Sequence, residues 1–281
     1  MDCKNLNLTI SVVLYNTPVQ HLEALFASLS YVEANYKLYF IDNSPVDYLS
    51  QYLIGRHGVV YVHRPDNPGY GAGHNAAIHA SMEDGSIYHL ILNADISFDS
   101  DIVSQMISYM DDNEEVGQMM PKILNSDGSI QYLCKLCPSP FDLFLRRFVP
   151  DKFSRKNLEK FTLRKTGYDK IMFVPYLSGC FMFLRRAALK DVGLFDERFF
   201  MYPEDIDITR RIAMKYDTIF YPLVSVRHEY GGASKKSLKM FVAHSYNLIK
   251  YFNKWGWFID NERKYLNLKT LRLLRSAGLD V

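Results

Sequence analysis

The chain has 281 residues, of which 48% are hydrophobic and 23% are charged, with 15 Gly and 11 Pro. This balance excludes collagen, low-complexity sequence and wholesale disorder, and it supplies a core for one large or two small domains. The four cysteines are too few for a secreted disulfide scaffold and indicate a reducing compartment. No apolar run approaches the roughly 18 residues of a membrane span, and the first residues lack a signal-peptide pattern, so we expect a soluble, cytoplasmic protein.

The net charge of +2 hides a strong asymmetry along the chain. Residues 1–120 contain 4 Lys and Arg against 15 Asp and Glu, whereas residues 121–281 contain 29 against 16. The acidic half needs a cation or a specific ligand, and the basic half can meet phosphate or an anionic membrane surface.

The first hundred residues alternate strand and helix signals. The predicted strands are Leu8–Leu14, Leu38–Ile41, Val59–His63 and Tyr88–Leu92. The first predicted helix follows a capping box formed by Thr17, Pro18 and Gln20. Two further helices are predicted near Gly73–Met82 and Asp99–Met110. Repeated βαβ units predict an α/β fold, with a mostly parallel, twisted sheet that carries helices on both faces.

The second half of the chain is less regular. Residues 141–170 are basic, with Phe141, Phe144, Phe148 and Phe153 interleaved, and indicate a loop or short helices. Strand character returns over Met172–Leu184, interrupted at Ser178 and Gly179, and a helix is predicted from Pro203 to about Lys215. Residues 235–275 have a helical pattern with ten Lys and Arg and an aromatic cluster of Trp255, Trp257 and Phe258.

Polar or glycine-rich residues follow all four predicted strands of the first half. They are Tyr15 and Asn16, then Asp42, Asn43 and Ser44, then the glycine loop 67–73, and finally Asn93 and Asp95. Because ligands of such sheets bind beyond the carboxyl ends of the strands, we expect a phosphorylated ligand at this edge.

Two carboxylates at this edge each allow two interpretations. Asp42 either accepts a hydrogen bond from the imide of uracil or thymine or caps a following helix. Asp95, with Asn93 two residues earlier, either holds Mg²⁺ or Mn²⁺ or is a helix N-cap.

The segment Gly71-Ala-Gly73-His-Asn-Ala76 fits the dinucleotide fingerprint, but it follows the third strand rather than the first. A redox dinucleotide is therefore not predicted. Closely spaced glycines still let backbone approach a ligand, and a helix starting at Gly73 would present free amides. The alternative is a glycine-rich turn that binds nothing.

Later motifs add titratable side chains. Glu204, Asp205 and Asp207 open a predicted helix, where one or two serve the helix dipole and a third is available as a general base. His228 after a strand-like run is either structural or a metal ligand. The pair Cys134-x-x-Cys137 lacks the second pair of a zinc site.

These pieces, read together, resemble one family. They occur in order from about Leu8 to Ser234 as TISVVLYN, YFIDNS, NPGYGAGHNAAI, LILNADI, YLSGCFMFLRR, GLFDERFFMYPEDIDITRRI and RHEYGGAS. The sequence resembles the inverting glycosyltransferases of family 2, and within them the bacterial rhamnosyltransferases of O-antigen and capsule assembly. The resemblance implies a GT-A, Rossmann-like fold over residues 1–234, with a nucleotide-binding half at 1–120, an acceptor-binding half at 121–234 and a helical extension at 235–281.

The resemblance also implies residue roles. The residues for the nucleotide-sugar are Val13, Tyr15, Asp42, Asn67, Gly69, Gly71, Asn75 and Asn93. Those for the acceptor and sugar pocket are Gly179, Glu204 and Asp207. Asp205 is implied as the catalytic base, and Asp95 and His228 as ligands of Mg²⁺ or Mn²⁺. Asn93 stands where the family usually has an Asp, which implies weaker metal binding without the diphosphate.

The implied activity is transfer of L-rhamnose from dTDP-rhamnose to a saccharide acceptor, carried on a polyprenyl diphosphate, in bacterial surface polysaccharide and lipopolysaccharide synthesis. The alternatives are a UDP-sugar donor (UDP-galactofuranose, UDP-glucose or UDP-galactose), a sugar nucleotidyltransferase or a non-catalytic membrane-binding module. A nucleotidyltransferase should carry a basic glycine loop after the first strand, and TISVVLYNTPVQ has neither Gly nor Lys. We expect peripheral association with the inner face of the membrane and no nucleic-acid partner. The sequence leaves a homo-oligomer open.

Overall fold

The computed structural model describes residues 7–143, 151–229 and 238–279. Its strands are β1 Leu8–Leu14, β2 Tyr36–Asp42, β3 Val59–His63, β4 Tyr88–Leu92, β5 Ile96–Ser97, β6 Val116–Leu124, β7 Met172–Phe173, β8 Phe181–Arg185 and β9 Asp217–His228. Its helices are α1 Val19–Leu29, α2 Ser50–Leu53, α3 Tyr70–Glu83, α4 Ile102–Asp112, α5 Asp151–Phe161, α6 Arg186–Val192, α7 Glu204–Ala213, α8 Leu238–Trp255 and α9 Asn261–Ser276.

The strands form one sheet in the order β3-β2-β1-β4-β8-β6-β9-β5, with β7 beside β9. Strands β3, β2, β1 and β4 are parallel, as predicted. The other half is mixed, because β8 runs antiparallel to both β4 and β6 while β6 and β9 are parallel. The α/β fold with flanking helices is confirmed.

The order in which strands are added to the sheet reverses at β1. Strands β2 and β3 are added on one side of β1, and β4 is added on the other. The register pairs Leu14 with Asp42 and Val12 with Leu92, so the carboxyl ends of the three strands are level. A crevice at such a reversal point is where open α/β sheets bind ligands.

Two details of the predicted helix starts are wrong. Helix α1 has Pro18 as its N-cap without a side-chain cap, because the Thr17 hydroxyl instead accepts from the Tyr15 amide at 3.2 Å. Helix α3 begins at Tyr70, so the Gly73 amide is not free but donates to the Gly69 carbonyl at 3.0 Å.

A buried polar network fixes α3 against the sheet. The Ser11 hydroxyl lies 2.7 Å from His74 Nδ1 and 2.8 Å from His89 Nε2, and His89 Nδ1 lies 2.8 Å from the Thr9 hydroxyl. Burial lowers the pKa of both imidazoles, that of His89 to about 3. Both rings are therefore neutral hydrogen-bonding groups, which orient the helix that begins at the crevice.

The basic segment after residue 140 is helical where the structure describes it, with α5 followed by a 3-10 turn at Arg164–Thr166. Residues 144–150, which include Phe144 and Phe148, lie outside the described residues, as do the side chain of Phe153 and residues 230–237.

Helices α8 and α9 confirm the helical pattern of the C-terminal segment, and they pack on the preceding part of the chain. The fully buried Arg210 of α7 forms an ion pair with Asp260, the N-cap of α9, and lies 3.9 Å from the ring centroid of Trp255. The Asn267 amide group and the Cys137 backbone exchange two hydrogen bonds of 2.8 and 3.0 Å. Among the described residues, no helix is long and apolar enough to cross a membrane.

Candidate active site

The ends of β1, β2 and β3 are joined by backbone contacts. The Asn43 amide donates to the Leu14 carbonyl at 2.9 Å, and the Arg64 amide donates to the Asp42 carbonyl at 2.7 Å. Asp42 therefore lies in the middle of this edge. Tyr15, which follows β1, is exposed, and Val13 is partly buried.

Asp42 is fully buried and held in one orientation. One carboxylate oxygen accepts from the Ser44 amide at 2.9 Å, and the other accepts from the Tyr61 hydroxyl at 2.9 Å. The next helix, α2, begins at Ser50, whose amide donates to Asp47 at 3.1 Å. The interpretation of Asp42 as a helix cap is therefore wrong, and contact with a pyrimidine base stays a prediction.

The glycines around α3 bring parts of the protein together. Gly69 has a φ of +105°, and a Cβ there would lie 2.2 Å from the Phe200 carbonyl oxygen. A Cβ on Gly73 would lie 2.7 Å from a Val13 methyl group. The space beside Gly69 and Gly73 is thus filled by Phe200 and Val13 of the protein itself. The sequence pattern indicates instead that such space lets the backbone approach a ligand.

Asn75 also joins two protein segments. Its amide nitrogen donates to the Phe195 carbonyl and the Glu197 carboxylate, both at 2.9 Å, and its oxygen accepts from the Phe195 amide at 3.0 Å. Asn67 lies in the turn before α3, where its amide donates to the Arg64 carbonyl at 3.0 Å. Roles for Asn67, Gly69, Gly71 and Asn75 in nucleotide binding stay predictions.

Asp95 and His228 meet at the end of the sheet. Asp95 Oδ1 lies 3.3 Å from His228 Nε2, and Asn93 Nδ2 lies 3.4 Å from the same nitrogen. The helix after Asp95, α4, is capped by Asp101, which accepts from two of its amides. The interpretation of Asp95 as an N-cap is therefore wrong.

Gln131 orients the His228 ring. Its amide oxygen lies 3.0 Å from His228 Nδ1, and its amide nitrogen donates to the His228 carbonyl at 2.8 Å. With the Nδ1 proton donated to Gln131, the Nε2 lone pair faces Asp95. A carboxylate oxygen and a neutral imidazole are accepted ligands of divalent cations. The pair fits such a cation, although no group of three His, Cys, Asp or Glu side chains gathers in the described ranges.

Tyr70 connects this pair with the next part of the site. Its hydroxyl lies 3.1 Å from Asn93 Oδ1 and 2.7 Å from the Gly179 carbonyl oxygen. The Gly179 amide in turn donates to Asp205 Oδ2 at 3.1 Å. A continuous line of contacts therefore runs from His228 to Asp205.

Asp205 is partly exposed at the start of α7, next to Glu204, which is buried. Its Oδ1 accepts from the Ile206 amide at 2.8 Å. Burial raises the pKa of both carboxyls, and the charge of Asp205 raises the pKa of Glu204 further. Because two adjacent carboxyls do not readily both ionise, Glu204, whose pKa is raised more, holds its proton in preference to Asp205.

Asp207, expected in the sugar pocket, has contacts of a structural kind. One oxygen accepts from Trp255 Nε1 at 2.8 Å and contacts Lys254 Nζ at 2.6 Å, and the other lies 2.9 Å from Arg211 Nε. Its fully buried carboxylate thus holds α8 against α7. Gly179 lies at the site itself, where a Cβ would come within 3.2 Å of Asp205 Cβ.

Tyr70 and Gln131 are site residues that the sequence reasoning missed. Tyr70 lies inside the glycine loop, and this position is a signal that could have identified it. Gln131 lies in a segment without a readable motif, and only the fold brings it to the site.

Comparison with known proteins identifies a family. The family model described as glycosyl transferase family 2 matches residues 9–193. An N-acetylglucosaminyl-diphospho-decaprenol L-rhamnosyltransferase of Mycobacterium tuberculosis (strain CDC 1551 / Oshkosh) is 25% identical over 232 residues, covering 79% of this chain and 75% of that protein. Rhamnosyltransferase WbbL of Escherichia coli (strain K12) is 23% identical over 267 residues, covering 92% of both chains.

Solved structures share the fold at low identity. S. aureus TarS has a TM-score of 0.60 at 13% identity, over 96% of this chain and 44% of TarS. GalNAc-T7 with UDP, GalNAc and Mn²⁺ has a TM-score of 0.58 at 14% identity, over 81% of this chain and 44% of GalNAc-T7. TarS 1–349 in complex with UDP has a TM-score of 0.56 at 12% identity, over 96% of this chain and 72% of that one. The chain spans less than half the length of the first two.

Proposed function

The chain belongs to glycosyl transferase family 2, and from that premise we propose that it transfers a sugar from a nucleotide-diphosphate donor to a hydroxyl group of a saccharide acceptor. The observation that carries the proposal is the line of contacts from His228 to Asp205. It links a pair of side chains that fits a cation to the Asp205 carboxyl at the crevice of the sheet. A leaving diphosphate and an incoming hydroxyl need these two groups at opposite ends of one site.

We propose Asp205 as the general base. Its Oδ2 is fixed by the Gly179 amide, and its partial exposure lets an acceptor hydroxyl reach it. Asp205 takes the proton as the hydroxyl oxygen attacks the anomeric carbon, and the bond to the diphosphate breaks. Attack from the face opposite the diphosphate inverts the anomeric configuration. A divalent cation held by Asp95 and His228 would offset the charge that develops on the diphosphate.

We propose dTDP-rhamnose as the donor and a polyprenyl-diphosphate-linked saccharide as the acceptor. Both relatives are named as rhamnosyltransferases, and the name of the mycobacterial protein includes a diphospho-decaprenol acceptor. A UDP-sugar is the second candidate, because GalNAc-T7 and TarS 1–349 are described with UDP. Thermal stabilisation by each of dTDP-rhamnose, UDP-glucose, UDP-galactose and UDP-galactofuranose would rank the donors directly.

We expect Asp205→Asn to lower transfer at least about a hundredfold, the usual contribution of a general base, and to leave donor affinity unchanged. The change removes the proton acceptor, whereas the amide oxygen can still accept from one of the two backbone amides, that of Gly179 or that of Ile206. Turnover with a soluble acceptor and donor binding by calorimetry measure the two effects.

The control is Asp112→Asn, at an exposed carboxylate at the end of α4. Transfer by Asp205→Asn within tenfold of the unmodified protein would remove Asp205 from this role. Asp205→Asn protein that fails to fold would indicate that the carboxylate serves the start of α7 instead.

A further inference from the structure

Tyr70 is the first residue of α3, and its side chain is held firmly in the site. Its amide donates to the Phe200 carbonyl at 2.9 Å, five residues before Asp205 in the chain. Its ring stands edge-on to His74, with the two ring centroids 4.4 Å apart, and His74 Nδ1 is in turn held by Ser11. The helix and the sheet therefore fix the place of the Tyr70 hydroxyl, as precise placement of a functional group requires.

Gly179 has both of its backbone polar groups engaged by side chains of the site. Its carbonyl oxygen lies 2.7 Å from the Tyr70 hydroxyl, and its amide donates to Asp205 Oδ2 at 3.1 Å. A Cβ at Gly179 would lie 3.6 Å from the Tyr70 ring and 3.2 Å from Asp205 Cβ, so the glycine is enclosed between these two residues. Gly179 lies in the turn before β8, whose pairing with β4 begins at Phe181.

The Tyr70 hydroxyl has one proton and two acceptors within reach. The Gly179 carbonyl lies at 2.7 Å and Asn93 Oδ1 at 3.1 Å. Only the shorter contact is in the usual range of an O–H···O hydrogen bond, so the proton is donated to Gly179. Burial raises the pKa of the Tyr70 phenol well above its usual range. The hydroxyl therefore stays a neutral donor and does not itself serve as the base.

We propose that Tyr70 is a positioning residue, whose hydroxyl holds the Gly179 turn in the place from which the Gly179 amide orients the carboxylate of Asp205. The inference rests on the proposed function and deepens it, since Asp205 acts there as the general base. Without the hydroxyl, the Gly179 carbonyl loses its partner, and the turn relaxes together with the amide that holds Asp205. A small displacement of a reacting group is costly, because the geometry of attack is narrow.

The test compares Tyr70→Phe, which removes the hydroxyl and keeps the ring, with Tyr36→Phe. We expect Tyr70→Phe to lower kcat about tenfold, the effect of losing one hydrogen bond, and to leave the donor KM unchanged. Tyr36→Phe is the matched control, because it removes a hydroxyl that also donates to a backbone carbonyl, that of Leu29 at 3.3 Å. Tyr36 lies at the start of β2, at the opposite edge of the sheet, and its variant should keep the original kcat.

A double variant shows whether Tyr70 acts through Asp205. In Asp205→Asn the base is already absent, so we expect the addition of Tyr70→Phe to lower the residual rate by less than about twofold. A full tenfold loss in this background would overturn the proposal and place the hydroxyl on the substrate. A raised donor KM with an unchanged kcat in Tyr70→Phe would also overturn it, and would place the action of the hydroxyl at Asn93.

Amide hydrogen exchange separates failure of this inference from failure of the proposed function, because it needs neither substrate nor turnover. We expect the Gly179 amide to exchange at least about tenfold faster in Tyr70→Phe than in Tyr36→Phe. Equal rates in the two variants would overturn the proposal, whether or not the protein transfers a sugar. A Gly179 amide that exchanges like an unfolded chain in the unmodified protein would overturn it even if Tyr70→Phe does not fold. Failure of the proposed function appears separately, as transfer that Asp205→Asn does not lower.

Discussion

Asp95 Oδ1 and His228 Nε2 direct lone pairs towards each other at 3.3 Å, because the Nδ1–H group of the imidazole donates to the amide oxygen of Gln131. Such a contact is favourable only with a proton or a cation between the two atoms. We therefore expect Asp95→Ala and His228→Ala each to raise the concentration of Mg²⁺ or Mn²⁺ that gives half-maximal activity. In the double variant the two effects should couple by about 0.5–3 kcal/mol, since both side chains act on one ion.

The matched control for this prediction is Asp99→Ala, which removes an exposed carboxylate from the same stretch of chain. Isothermal titration of the metal in the presence of the nucleoside diphosphate measures binding apart from turnover. Strictly additive effects, or full activity in EDTA, would contradict the metal assignment.

At the residue scale, the sequence predicts groups that stand at the ends of strands. Asp42 and Asp95 are predicted in this way, because a buried strand followed by a carboxylate is a local pattern. Tyr70 and Gln131 could not be predicted in this way. Tyr70 reaches Gly179 across 109 residues of sequence, and Gln131 contacts His228 across 97 residues, so their neighbours are set by tertiary packing.

At the element scale, different residues of helix α7 serve the site and the packing of the C-terminal helices. Asp205 contacts Gly179 at the crevice, whereas Asp207 and Arg210 contact α8 and α9. The cluster of carboxylates was predicted from the sequence, but the direction of each was not, because the partner helices follow the cluster by some 40 to 50 residues. The contacts of Asp207 and Arg210 with α8 and α9 thus hold α7 in place, and they fix the position of Asp205 at the crevice.

We expect Arg210→Met to destabilise the fold by about 3–5 kcal/mol, because it leaves the Asp260 carboxylate buried without its main partner. The double variant Arg210→Met/Asp260→Asn should recover part of this loss, since asparagine still caps α9 while no charge remains buried. Urea unfolding followed by circular dichroism measures the free energies of unfolding.

Arg272→Met, at an exposed arginine of α9, is the control for the lost side chain and should change stability by less than about 0.5 kcal/mol. A double variant that is no more stable than Arg210→Met would show that the loss comes from packing against Trp255, and not from the stranded charge.

At the scale of the whole molecule, the parallel half of the sheet could be predicted, because each short strand is followed by a helix and then by the next strand. The other half could not. The connection between β6 and β8 is long, and β8 enters the sheet antiparallel between β4 and β6. The positions of α8 and α9 likewise could not be predicted, because they depend on buried charges such as the pair of Arg210 and Asp260. Composition alone shows only that the segment is basic.

The turn between α8 and α9 presents large apolar side chains to solvent. Phe258 is 88% exposed and Ile259 is 85% exposed, although the turn itself is fixed by Gly256 at φ +99° and by Asp260. Lys254 and Lys269 are engaged by carboxylates, whereas Lys264, Arg272 and Arg275 of α9 are exposed. We propose that this turn inserts into an anionic membrane surface, which would bring the site to a lipid-linked acceptor.

We expect the protein to sediment with anionic liposomes and not with neutral ones, and salt to weaken this binding, since each cation near the surface contributes about 1 kcal/mol. Phe258→Ser/Ile259→Ser should abolish the binding while transfer to a soluble acceptor is kept, because neither side chain contacts the site. Val46→Ser/Leu223→Ser, at two exposed apolar residues elsewhere, is the control. Unmodified protein that stays in the supernatant with both kinds of liposome would contradict the proposal. Equal binding by the Phe258→Ser/Ile259→Ser variant would show that charge alone carries the association.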